Sequence, residues 1–130
     1  MGTTIKARLT LSGNFDPAHV TEVLGLEPSQ VWRRGDPRRY RTSGSEECDG
    51  WVLKLNERES LHLDETLRDL LALIEPVRTP LSDFRKSRDV DVQVAFAVDV
   101  VDSRYPSISL SVTQVQKLSE IGASIDIDIL

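Results

Sequence analysis

Apolar and polar residues alternate along "IKARLTL", so that Ile5, Ala7, Leu9 and Leu11 share one side of the chain. A period of two describes a strand with one face buried and the other wet. The period then changes. Asp16 can cap a helix, Pro17 suits its first position, Val20, Val23 and Leu24 form an apolar stripe, and Gly25 closes it. Residues 51–55, "WVLKL", alternate again as a short strand. In "SLHLDETLRDLLALIEP" Leu63, Leu67, Leu70, Leu71 and Ile74 fall on one helical face, with Ser60 as cap and Pro76 as stop. "TPLSDF" predicts one further short turn, capped by Thr79 with Pro80 in first position.

Residues 90–101 predict the strongest strand of the chain. Val90, Val92, Val94, Phe96, Val98 and Val100 line one face, and Asp91, Gln93, Ala95, Ala97 and Asp99 the other. After a turn around 102–106 the pattern predicts a strand at Ile108–Leu110, a helix over Thr113–Ile121 stopped by Gly122, and a closing strand "SIDIDI". The two ends, "LTLSGNFDPAHVTEVLGLEPS" and "ISLSVTQVQKLSEIGASIDI", share a strand, a Leu-Ser pair, an amphipathic helix and an apolar residue with Gly. This suggests an internal duplication of β-α-β units. The fold expected is α+β over residues 1–130 as one domain: a mostly antiparallel sheet with helices packed on one face, ferredoxin-like in broad terms.

The order of these signals resembles a family of small, mostly bacterial proteins, the domain of unknown function 4279. The resemblance runs nearly the whole chain. It is carried by Leu24-Gly25-Leu26, Pro28, Ser29, Trp32, Gly35, Trp51 and the closing Ile121-Gly122 before an acidic strand. It implies a fold and supplies no activity, cofactor or catalytic residue.

Charge changes the picture at one place. The 130 residues carry a net −5, which works against binding nucleic acid or an anionic membrane. Yet "RRGDPRRYR", residues 33–41, holds Arg33, Arg34, Arg38, Arg39 and Arg41 against a single Asp36. Guanidinium groups grip phosphate and carboxylate with paired hydrogen bonds, and Trp32 and Tyr40 offer flat faces for stacking. A ligand or partner site at Trp32, Arg33, Arg34, Arg38, Arg39 and Tyr40 is one expectation. The other is internal: Asp91, Asp99, Asp126 and Asp128 would form an acidic sheet surface that the arginines neutralise from within. Arg34-Gly35-Asp36 spells an adhesion tripeptide, but Gly35, Asp36 and Pro37 read as turn chemistry.

Other candidate chemistry is sparse. His19 and His62 lack a second ligand at metal spacing, and both read as solvated helix-end residues. Cys48 lies among acids in "SGSEECDG", where negative neighbours disfavour a thiolate. Asp126 and Asp128 share one side of a strand, which alternation on a wet face produces without any metal. Trp51 reads as core and Trp32 as an edge residue with its ring partly open. No cofactor or metal is expected, and the N-terminus lacks an apolar signal core.

The reading is a binding or interaction domain of the bacterial cytoplasm whose partner is an unidentified protein, masked as immunity proteins mask toxins. The alternative is a ligand-binding or enzymatic domain with an anion site at the Trp32–Arg41 loop. Nucleic acid and membrane are not expected. An open sheet edge leaves room for a homodimer.

Overall fold

The computed structural model describes residues 2–38 and 44–130. Its organising strand is β1 (Thr4–Gly13), whose Ile5, Ala7, Leu9 and Leu11 are buried while Lys6 and Arg8 stay exposed. On one side β1 pairs antiparallel with β3 (Asp49–Lys54) and the short β4 (Arg58–Glu59). On the other it pairs antiparallel with β5 (Asp91–Asp99). β2 (Gln30–Trp32) adds to β3 antiparallel, and β6 (Ala123–Ile129) adds to β5 in parallel. The order across the sheet is β2-β3-β1-β5-β6.

These pairings set out two interlocked split units. β1 and β2 are both antiparallel to β3 and so parallel to each other, with β3 between them. Likewise β3 and β5 run parallel with β1 inserted between. That is the ferredoxin-like arrangement expected from the sequence. The β6 strand is an addition at the far edge, reached through α4 (Val112–Glu120).

Local sequence accounts for the helices. α1 (Pro17–Leu24) starts where Asp16 accepts the Ala18 N–H and ends at Gly25 with φ of 67°. α2 (Leu63–Ile74) buries Leu63, Leu67, Leu70, Leu71 and Ile74, the stripe read from the sequence. α4 opens with a reciprocal pair: Ser111 accepts from Gln114 N–H while the Gln114 side chain accepts from Ser111 N–H. One apolar cluster results. It joins β1, β5 and Trp51 to α1, α2, Leu81 and Phe84 of α3 (Arg78–Arg88), and Leu118 of α4. Trp51 is fully enclosed there, and its indole N–H donates to Thr21 Oγ1 at 3.0 Å.

Four expectations are corrected. Ser60 does not cap α2: the helix begins after His62, and Ser60 Oγ instead accepts from the His62 N–H at 3.0 Å. "TPLSDF" is not a single turn started by Thr79. A short 3-10 segment (Glu75–Val77) leads into α3, an eleven-residue helix that begins at Arg78. Residues 108–110 form no strand, and it is β6 that pairs with β5 on the side away from β1. That connection meets the rest at a bridge between Ser107 and His62, and around buried Thr3, whose hydroxyl accepts the Val101 N–H. With no strand there, the suggested duplication fails at its first element.

Leu67 lies fully buried where α2 meets the sheet. Leu67→Ala is expected to lower unfolding stability by about 2–5 kcal/mol in urea titration, the usual cost of such a cavity.

Candidate binding surface

Helices cover one face of the sheet and leave the other bare. The registers place the open-face side chains in rows across the strands. One row runs Trp32, Gly50, Ser12, Asp91; the next runs Gln30, Val52, Thr10, Gln93, Ser124. A third holds Lys54, Arg8, Ala95 and Asp126. Charge is therefore banded: cations on β1 and β3, acids toward β6.

Trp32 sits at the head of the first row. Its six-membered ring lies across Gly50, where a Cβ would collide with Cε2 and Cζ2. Glycine at 50 is what lets the indole lie flat on the sheet. The ring is half-buried, and its Nε1–H is enclosed with no partner among the described residues. This agrees with the edge position read from sequence.

Beyond Trp32 the chain makes a two-stranded arm. Gly35 N–H donates to Glu46 O, Glu46 N–H to Asp36 O, and Pro37 bridges Ser45. The turn that begins the arm is local: Asp36 Oδ2 accepts the Arg33 N–H at 2.7 Å, and Gly35 takes a φ of 92° that a side chain would strain. The Asp49 carboxylate fastens the arm to the body, accepting Phe15 N–H at 3.0 Å and Arg34 N–H at 2.9 Å.

The arginines divide accordingly. Arg33 reaches Asp16 at 3.0 Å, and Arg38 reaches Glu47 at 3.7 Å and donates from Nε to Ser45 O. Arg34 is exposed and forms no ion pair with another described residue. Arg39, Tyr40 and Arg41 lie outside the described residues. The expected pairing with Asp91, Asp99, Asp126 and Asp128 is not made by Arg33 or Arg38. The arm leaves the sheet at β2 and β3, whereas Asp126 and Asp128 belong to β6 at the opposite edge.

The Asp16 carboxyl lies below its ordinary value of 3.8, held there chiefly by the Ala18 N–H against an upward push from desolvation, with Arg33 lowering it further. The Cys48 thiol is pushed above its ordinary value, chiefly by burial and further by Glu46, Asp49 and Glu47. The negative neighbours foreseen from sequence do act, but burial leads. His19 is half-buried against the Phe84 ring, with centroids 5.9 Å apart, and His62 is exposed at the start of α2. No group of three or more metal-binding side chains gathers among the described residues.

One feature of the face had no signal in the sequence. A polar hollow of about 550 Å³ lies at the end of β5 nearest the arm, its floor made by Thr10, Ser12, Gln93 and Ser124. Arg85 and Lys86, from the last turn of α3, stand at its rim with Asp89 and Asp91. Arg85 is pressed against Gly122, and its Nε is buried without a partner. Only the full length of α3, hidden by its charged sequence, brings these cations to the sheet.

Two outcomes follow from the arm. Asp49→Ala removes the acceptor for two backbone N–H groups, so it should destabilise the fold by about 1–3 kcal/mol and speed amide exchange at Phe15 and Arg34. Because the folded Asp16 carboxyl is depressed, its contribution is complete above its ordinary value and fades as pH falls through the folded one. Acid titration of stability in Asp16→Asn should lack that component, a difference visible only below about pH 5.

No helix among the described residues is long and apolar enough to cross a membrane. No curated protein and no solved structure matches the chain. A family model does, over residues 3–130, and that span includes every element of the sheet and the whole of the open face. The chain belongs to the family described as domain of unknown function DUF4279.

Proposed function

We propose that the chain is a binding module whose partner is a protein seated on the open sheet face beside the arm. The observation that carries this reading is Trp32: a large aromatic ring laid over Gly50, half-exposed, with an enclosed indole N–H that has no described acceptor. Tryptophan and arginine are the residues that most often dominate association energy, and exposed Arg34, two residues on in the chain, has no described ion-pair partner. Val52, buried although it faces the open side, extends the apolar ground under Trp32. Masking of a partner in the manner of an immunity protein is the role most in keeping with a small acidic chain, and it rests on analogy.

The hollow supports a second reading, a small anionic ligand. Its volume falls within the range of ligand pockets, and Arg85 and Lys86 supply the charge. Inorganic phosphate or pyrophosphate would then raise the melting temperature by linkage.

The two readings part in one set of measurements. Affinity capture with the wild-type chain is expected to retain a defined protein that Trp32→Ala/Arg34→Glu fails to retain. Unchanged circular dichroism would show that this variant still folds. Retention by both chains alike would remove the role of Trp32. A melting temperature raised by phosphate and abolished by Arg85→Ala would favour the ligand reading instead.

A further inference from the structure

β6 ends the sheet, and its outer side meets no other strand. Leu130 N–H donates inward to Val98 O at 2.8 Å. Backbone groups alternate in direction along a strand, so those of Ser124, Asp126 and Asp128 also face β5. The N–H and C=O groups of Ile125, Ile127 and Ile129 consequently point outward, a row able to accept one more strand.

Two chemically different rows flank that backbone. On the helix side Ile125 and Ile129 are 37% and 49% exposed, and Val112 and Val115 of α4 are 74% and 53% exposed. On the open face stand Asp126 and Asp128, both exposed. Their cross-strand neighbours are Ala95 and Ala97, which carry no charge. The nearest cation on the Asp126 row is Arg8, two strand spacings or roughly 9–10 Å away along the sheet. Neither acid forms an ion pair with another described residue, so the charge at this edge is uncompensated.

A second copy of the chain fits this edge badly. Pairing β6 with itself would keep faces together, bringing two sets of Asp126 and Asp128 side by side at about 4.5–5.5 Å. Like charges so placed oppose the union. The same acids favour a strand whose matching positions are basic.

We propose that β6 receives an extended peptide segment in which basic residues alternate with apolar ones. Its main chain completes hydrogen bonds to Ile125, Ile127 and Ile129. Its Lys or Arg side chains lie beside Asp126 and Asp128, and its apolar side chains join Ile125, Ile129 and Val115 on the helix side. Main-chain pairing gives such an interaction its hold, and the two side-chain rows give it selectivity. This surface is at the opposite edge of the sheet from Trp32 and does not depend on the function proposed above.

The test uses two fluorescent peptides of about nine residues, one alternating valine with lysine and one alternating valine with glutamate. Anisotropy titrations should show the lysine peptide binding at least roughly tenfold more tightly, with the margin shrinking as salt is added. Amide exchange should slow at Ile125, Ile127 and Ile129 when the lysine peptide is present. Asp126→Lys/Asp128→Lys, two changes at exposed positions, should reverse the preference, while Trp32→Ala should leave it unchanged. Equal affinity for both peptides, no binding of either, or protection confined to other amides would overturn the proposal. So would a dimer in sedimentation that itself protects these three amides.

Discussion

The structure depends on the one-sided burial of β1. This strand pairs with β3, β4 and β5 together, and its four apolar side chains lie at the centre of the core. Shifting any neighbour by one residue would turn that neighbour's apolar side chains to water, so the alternation in β1 holds the register of the whole sheet. Leu9 opposite Leu53 and Val94, and Leu11 opposite Trp51 and Val92, are the places where this holds tightest. One-sided burial also explains why there is a face for a partner at all. With every helix on the other side, Trp32, Arg8 and Asp126 share a surface that nothing within the described residues covers.

The arm shows how a charged segment is built into such a fold without being consumed by it. Its turn and its attachment rest on backbone donors given to Asp36 and Asp49, and the Arg38 guanidinium adds one bond across the arm to Ser45 O. The Arg33–Asp16 pair is largely solvated, and so is the Glu47 end of the longer Arg38 pair; solvated pairs contribute little to stability. The geometry of the arm and the charge it presents are thus set largely by different atoms. The arginine side chains can vary in use while Asp36, Asp49 and Gly35 preserve the shape.

Elements governed by neighbours in sequence were legible from it. Asp16, Pro17 and Gly25 delimit α1 through contacts within the helix itself, and the buried stripe of α2 follows from spacing alone. Elements governed by distant partners were not. Ile108 and Leu110 alternate as a strand would, but alternation supplies no strand partner, and β5 pairs with β1 and β6 instead. α3 reads in sequence as a single turn because Leu81 and Phe84 are its only buried side chains amid Arg, Lys, Ser and Asp. For the site, the edge position of Trp32 was legible in the sequence, and Arg33 and Arg34 are exposed, whereas Arg38 is half-buried against Ser45 and Glu47. Sequence could not assign their neighbours, because strand order decides that Asp126 lies at the far edge and that Arg85 and Lys86 come to the open face. β2 illustrates the same limit: three residues with Val31 exposed carry no period to read.

The place of β1 in the sheet also constrains how the chain is made. β1 precedes both of its long partners in the chain, and one of its edges is filled by β3 after about forty further residues. Its other edge waits for β5, about eighty residues on by the pairing of Ser12 with Asp91. Until then Ile5, Ala7, Leu9 and Leu11 belong to a half-built sheet with an exposed apolar row and an open side. The segment between β3 and β5 is therefore the stretch of chain over which β1 has one edge that can be paired and one still open.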